Sequence, residues 1–599
     1  MDIMKPIASA DIPVGDEWVY EVKYDGFRCM LTWDKDGTIT LTSKNNKDLT
    51  KNFPEIIAHC KGIQNEMTKI LPVRLDGELV VLNTEFQANF SWIQKRGRFK
   101  NIDSIKKAST KRPATFLAFD ITQSNGILLM EESWKRRKQA LHDFFKVLPS
   151  NPYVKMVDSY EDEKELWQML TEHKGEGIIA KRKTSKYIAG KGHRDWFKIK
   201  NWRTIEGFLT HYDQQNGYYS FHVFQDKEIL EIGKCKHGLD DESAETLKQL
   251  FIQNGEKETN GYHLPPAICA SVHTLDLNKG ELREPEFVRL LPQASAEECT
   301  VEKLKLDLAM IPQTIDISNT EKFYWPDKSL TKGDLLSYMR EIAPYMLPFL
   351  RERALTLIRC PDGVEGEFFY QKHLPDYAPA FIDSKNVGNE KIIICNNLHS
   401  LVWFANHGGM EYHVPFQKID NDQPMEIVFD LDPPSREKFS LAIQAANLIK
   451  AILDDLKLIS FVKTSGNKGI QIHIPIPEAS LTYDETAIFT QAIAYTVENT
   501  YPDLFTTERM KKKRNGRLYI DYVQHGKDKT IIAPFSPRKT KEGTVAMPLL
   551  WKEVNDQLRP EQFTIENALS RIQEIGNPFH NYFEAQENQQ LDRVIALIK

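Results

Sequence analysis

The stretch Trp18-Val19-Tyr20-Glu21-Val22-Lys23-Tyr24-Asp25-Gly26-Phe27-Arg28 most constrains what this chain can become. Its first six residues alternate as a strand does, Asp25-Gly26 supplies a tight turn, and Phe27–Trp33 reads as the return strand. The expected hairpin holds the Lys23 amine at the lip of a sheet, beside an acid and an arginine. That setting suits a lysine nucleophile. A solvated lysine ahead of a turn is commonplace too, so the other residues decide.

At 599 residues the chain is too long for one core, and three or more domains are expected. The net charge of −6 does not mark a nucleic-acid binder, so such a role rests on local basic patches. One is Lys181–Arg203, which holds Lys181, Arg182, Lys183, Lys186, Lys191, Arg194, Lys198, Lys200 and Arg203 with Trp196 and Trp202 interleaved. The seven cysteines are scattered, with no CxxC pair, and point to a reducing cytosol without disulfides or zinc. Met1–Gly15 lacks an apolar signal core, and no apolar run is long enough to span a membrane. The expected location is cytoplasmic.

Nucleophilic lysine chemistry needs cations or a metal to lower the amine pKa, and phosphate chemistry needs carboxylates to hold a divalent metal. Asp76-Gly77 reads as a hairpin turn, with Glu78 opening an apolar strand. Glu176 sits between Gly175 and Gly177 at another strand start. Lys198 and Lys200 share one face of the strand Trp196–Lys200, which is costly unless an anion such as a triphosphate answers them. In this order the set resembles the covalent nucleotidyltransferases, the ATP-dependent DNA ligases and their relatives, over residues 5–290. The resemblance implies AMP transfer to Lys23, ribose or phosphate contact by Arg28, a further motif at Ser43-Lys44, and ribose binding by Glu78. It implies adenine stacking on Phe119, adenine-edge contact at Glu21, metal binding by Glu176, and α-phosphate contact by Lys198 and Lys200. The family usually has Arg where this chain has Lys44. Short strands over 205–300 fit an OB-fold barrel, whose Leu282–Val288 resembles the family's end motif.

Residues 301–317 read as a linker with a short helical segment, and Lys332–Leu350 as a helix opening the next unit. There, Asp430 and Asp432 end an apolar strand on one face and repel each other unless a cation intervenes. Asp521 ends a second apolar strand. Lys463–His473 is a glycine-punctuated turn between strands whose amides can cradle a triphosphate. These stretches, with Phe323-Tyr324-Trp325-Pro326 and Ala533–Arg538, resemble the archaeo-eukaryotic primase superfamily, and more closely the polymerase domain of bacterial DNA ligase D, over 318–599. The resemblance implies metal binding by Asp430, Asp432 and Asp521, and nucleotide contact by His413, Ser465, Lys468, His473 and Arg538. It also implies that Lys372 holds a downstream 5′-phosphate, and it leaves the role of Gln524-His525 open.

The expected fold is multidomain α+β: an ATP-grasp-like nucleotidyltransferase domain (1–204), an OB-fold barrel (205–300), and a primase-like α/β polymerase domain (318–599). The layout resembles ligase D in a ligase-first order, and no His/Asp-rich segment for that family's 3′-phosphoesterase unit is seen. Implied cofactors are ATP, a divalent metal (Mn²⁺ or Mg²⁺) and nucleoside triphosphates, either deoxyribo- or ribo-. Implied partners are DNA ends with nicks, gaps or breaks, and a Ku homodimer, and the resemblance implies association with the bacterial nucleoid. An RNA-sealing or capping enzyme, or a DNA-end-binding scaffold with an inactive polymerase unit, fits the same residues.

Overall fold

The computed structural model describes residues 3–190 and 192–598, so Met1, Asp2, Lys191 and Lys599 lie outside the described residues. The chain forms two compact units, Met1–Leu308 and Ala309–Lys599.

Two sheets face the first site. One runs in the order Lys5–Ala8, Gly192–Lys200, Gly177–Arg182, Trp18–Val22, Ser159–Tyr160. The other runs Val154–Met156, Thr115–Ser124, Val73–Val80, Phe27–Trp33, Ile39–Ser43. Each has its own apolar core, around Tyr20, Leu166 and Ile178 in the first and Leu31, Leu75 and Phe116 in the second.

The expected hairpin does not form. Trp18–Val22 and Phe27–Trp33 belong to different sheets, and Lys23-Tyr24-Asp25-Gly26 carries the chain across from one to the other. The glycine serves close approach rather than a turn: a Cβ on Gly26 would lie 2.2 Å from the Leu79 carbonyl oxygen. Asp76-Gly77 is likewise no turn. Both residues lie inside the strand Val73–Val80, where Asp76 is fully buried and a Gly77 side chain would strike the Leu117 carbonyl and the Phe116 ring. The acid is tolerated there because Arg28 donates to both its oxygens, at 2.7 and 3.2 Å, and Tyr187 Oη donates at 2.6 Å.

The following sheet runs Glu228–Cys235, Tyr219–Gln225, Arg203–Asp213, Gly261–Thr274, with Glu286–Leu290 also on Gly261–Thr274. Helix Asp241–Asn254 packs Leu247 and Phe251 into the core of this sheet. Part of the expected linker is folded: Val301–Ala309 is a helix, and its Leu304 joins the core of this sheet because its apolar residues recur at helical spacing.

In the second unit, helix Lys332–Leu350 starts at Thr331, whose hydroxyl accepts from the Asp334 N–H. A six-stranded sheet runs Phe505–Thr506, Leu518–Asp521, Glu426–Asp432, Ile470–Pro475, Phe461–Thr464, Pro548–Leu549. A four-stranded sheet runs Phe369–Gln371, Thr356–Arg359, Gly409–Val414, Ile531–Ile532. No helix among the described residues is long and apolar enough to cross a membrane.

Candidate active sites

The first unit holds a cavity of about 910 Å³ lined by Glu21, Lys23, Arg28, Ser43, Lys44, Glu78, Phe119, Glu176, Lys198 and Lys200. All ten residues expected at the adenylation site therefore converge on one space.

Lys23 follows the last residue of its strand, and its backbone N–H donates to Gly177 O at 2.8 Å. That bond sets it against Glu176, and the two side chains form an ion pair. Burial pulls the Lys23 pKa down, but Glu176, with Asp25 and Glu78 behind it, outweighs burial and holds it above the ordinary lysine value. The contact with Glu176 thus favours the ammonium form of Lys23. Glu176 Oε2 is buried with no hydrogen-bond partner, which leaves an open acceptor beside the nucleophile. Burial pushes the Glu78 carboxyl up to about 8, despite Arg28 and Lys23 nearby.

Phe119 and Trp196 come from the two different sheets and meet edge to face, 6.3 Å apart. Arg28, fixed by Asp76, lies 5.1 Å over the Phe119 ring. Lys181 joins the site although the sequence marks it only as part of a basic patch. Its Nζ lies 4.7 Å over Phe119 and 4.4 Å over Trp196, and donates to Glu21 Oε2 at 2.6 Å. Lys138 donates to Glu21 Oε1 at 2.8 Å, and Ser159 Oγ at 3.0 Å. Burial would raise the Glu21 pKa, but the two lysines outweigh it and keep the carboxylate ionised. Glu21 thus faces the cavity with its charge already answered. The available signal for Lys181 was its place on the Gly177–Arg182 strand; Lys138 on its helix gave none.

Ser43 Oγ accepts from the Lys47 N–H at 3.0 Å, and the Lys44 N–H donates to Arg28 O at 3.0 Å, its side chain exposed. Lys198 has no carboxylate partner among the described residues, whereas Lys200 pairs with Glu284 at 2.7 Å. Arg283 pairs with Asp25 at 2.6 Å, and Arg283 and Glu284 of the Leu282–Val288 stretch join the cavity lining.

In the second unit, register places Asp430 directly opposite Asp521 and Asp432 opposite Tyr519. Burial and the Asp521 charge push the Asp430 carboxyl up to about 6. Asp432 turns instead to Lys468 at 2.9 Å and Arg514 at 3.3 Å. Two acids of the expected trio therefore meet and the third is drawn off by cations. Among the described residues no three His, Cys, Asp or Glu side chains form a ready metal cage.

Ser465 Oγ accepts from the Asn467 and Gly469 N–H groups, pinning the turn that carries Lys468. His413 pairs with Glu411 at 3.0 Å, and Arg538 lies 3.3 Å from the same carboxylate. The placement of His473 corrects the sequence reading. It is 2% exposed, bonded to Glu426 at 2.7 Å within a cluster that includes Arg353 and Tyr582. The residue opposite Asp430 is Gln471, two positions earlier, which the sequence reading passes over. Gln524 donates its backbone N–H to Asp521 at 2.8 Å, and His525 is buried against Thr486, burial pushing it down to about 4. Lys372 follows the edge strand Phe369–Gln371, next to the exposed rings of Phe368, Phe369 and Tyr370.

Residues 4–200 match the family model of the ATP dependent DNA ligase domain, and residues 331–579 that of the LigD primase-polymerase domain. The bifunctional non-homologous end joining protein LigD of Bacillus subtilis is 39% identical over 605 residues, covering 100% of this chain and 99% of the relative. The chain belongs to the LigD family. The multifunctional non-homologous end joining LigD of Pseudomonas aeruginosa is 24% identical over 95% of this chain and 71% of its own length. Among solved structures, the polymerase domain of Mycobacterium tuberculosis ligase D in complex with DNA is 28% identical over 45% of this chain and 97% of that one, with a TM-score of 0.42. As a LigD-family member the chain carries an ATP-dependent DNA ligase domain followed by a primase-polymerase domain, and acts on ATP and nucleotide substrates.

Proposed function

We propose that this chain repairs double-strand breaks by end joining, filling short gaps at Asp430 and Asp521 and sealing the strand through Lys23. The observation that carries the reading is the Lys23 side chain lining the cavity, paired with Glu176 and sharing the space with Glu78 and the Phe119 ring. Lys23 first gives up a proton, and Glu176 is the acceptor in contact with it. The amine lone pair then forms a bond to the α-phosphorus of ATP as the bond to the β-bridging oxygen breaks, and pyrophosphate leaves. AMP passes from Lys23 to a DNA 5′-phosphate, and a 3′-hydroxyl displaces it to close the strand. Phe119 and Trp196 hold the base, while Lys198 and Lys200 answer the phosphate charge, Lys200 by exchanging Glu284 for it.

The donor sets fit a divalent cation, Mn²⁺ or Mg²⁺. Glu176 would hold it with its partnerless Oε2, and Asp430 with Asp521 would hold it between two facing carboxylates. Asp432 would join on giving up Lys468 and Arg514. A bound cation supplies charge neutralisation at the phosphates. Lys468, the Ser465 turn, His413 and Arg538 would take the incoming triphosphate, and Lys372 the downstream 5′-phosphate. The partners proposed with this reading are DNA ends and a Ku homodimer.

The test uses the full chain. Lys23→Ala abolishes transfer of radiolabelled AMP from ATP to protein and leaves templated nucleotide addition intact; Asp430→Ala does the reverse. A Lys23→Ala protein that still becomes labelled, or an Asp430→Ala protein that still adds nucleotides, refutes the corresponding half. Parallel nicked DNA and nicked RNA substrates establish which strand is sealed.

A further inference from the structure

Four neighbouring strands of the six-stranded sheet place Asp521, Asp430, Gln471 and Lys463 in one row on one face. Two of the four, Gln471 and Lys463, have no part in the chemistry described above. Both are buried, at 4% and 0% exposure. The Lys463 Nζ donates to Gln471 Oε1, and Gln471 Nε2 donates to Asp430 Oδ1 at 3.2 Å.

The direction of this chain of bonds is forced. An ionised carboxylate only accepts, so a Gln471 amide serving Asp430 turns its nitrogen toward it and its oxygen away. The oxygen then points into the protein, where water cannot reach it, and an unpartnered buried acceptor is costly. Lys463 supplies the donor. Without it the amide oxygen is left buried with no donor, and the Gln471 side chain loses the bond that fixes it beside Asp430. The row therefore does more than fill space: it decides which oxygen of Asp430 is taken by the protein and which is left for a ligand.

We infer that Lys463 and Gln471 are positioning residues that orient Asp430 for divalent-cation binding in the polymerase unit. The inference rests on the proposed role of Asp430. Partners behind a metal ligand typically change metal affinity on the order of 10–100-fold when removed.

The experiment titrates Mn²⁺ into the full-length protein and follows free Mn²⁺ by electron paramagnetic resonance, with nucleotide addition measured in parallel. Asp430→Asn defines the binding component that belongs to this site. In Lys463→Met and in Gln471→Met that component weakens about 10–100-fold, and the Mn²⁺ needed for half-maximal nucleotide addition rises by the same factor. The double variant is no worse than either single one, because the two residues act as one relay. Gln471→Met keeps nearly the size of the native side chain, so it decides the question alone if Lys463→Met does not fold. Unchanged Mn²⁺ affinity in Gln471→Met, or single effects that multiply in the double variant, overturns the relay while Asp430→Asn still abolishes addition. An Asp430→Asn protein that retains both the Mn²⁺ component and nucleotide addition overturns the site reading and the relay together.

Discussion

Replacing Glu176 with glutamine tests how the first site arms its nucleophile. The Lys23 and Glu176 side chains are only 19% and 10% exposed, so solvent screens their attraction weakly. A carboxylate in contact with an ammonium in such a setting favours the protonated amine and so raises its pKa. Glu176→Gln removes that charge and keeps the shape. Burial then pulls the Lys23 pKa down against Asp25 and Glu78 alone. The reactive form is the free amine, so a lower pKa extends activity to lower pH. Single-turnover formation of the lysyl-AMP adduct from labelled ATP, followed across pH, reads this directly. The acid-side midpoint moves to lower pH in Glu176→Gln. The plateau rate falls as well, because the open Glu176 oxygen can no longer serve a cation. A midpoint that stays in place or rises refutes the assignment of Glu176 as the group that holds Lys23 protonated.

Two further outcomes follow from the buried clusters. Phe119→Ala removes the ring proposed to stack on the base and weakens ATP binding by about 1–3 kcal/mol, roughly 5- to 160-fold, read as KM for ATP in adduct formation. Glu426→Gln leaves Arg353 without its buried partner and costs the second unit about 3–5 kcal/mol, read as the urea midpoint at which nucleotide addition is lost. Burial would raise the Glu426 pKa, but Arg353, His473 and Tyr582 outweigh it and hold it well below the usual carboxylate range. A depressed folded-state pKa gives stability that is present above the unfolded value of about 4.3 and lost as pH falls, so the variant loses acid sensitivity as well as stability.

The chemistry was more legible in the sequence than the path of the chain. Lys23, Glu78, Glu176, Lys198 and Lys200 could be ordered along the sequence because each stands in or next to a strand, and all five line the cavity. Asp25-Gly26 and Asp76-Gly77 misled because a glycine demanded by a close backbone approach looks the same, in one dimension, as a glycine demanded by a turn. Only the Leu79 and Leu117 carbonyls, distant in sequence, distinguish the two. His473 misled for a related reason. Alternation places Gln471 and His473 on the same face, and only the register with Glu426–Asp432 shows that Gln471 stands opposite Asp430. Lys138 was invisible because its partner Glu21 is 117 residues away.

The crossing between the two sheets of the first unit has an evolutionary consequence. Lys23, Tyr24, Asp25 and Gly26 are all that joins strand Trp18–Val22 to strand Phe27–Trp33. At one end the Lys23 N–H is tied to Gly177, and at the other Gly26 is wedged against Leu79. A one-residue insertion or deletion has nowhere to be absorbed: it lifts the nucleophile from Glu176 or breaks the packing at Gly26. The Asp36-Gly37 turn at the surface can drift in length at little cost, whereas the length of this four-residue bridge is held fixed by the two sheets it joins.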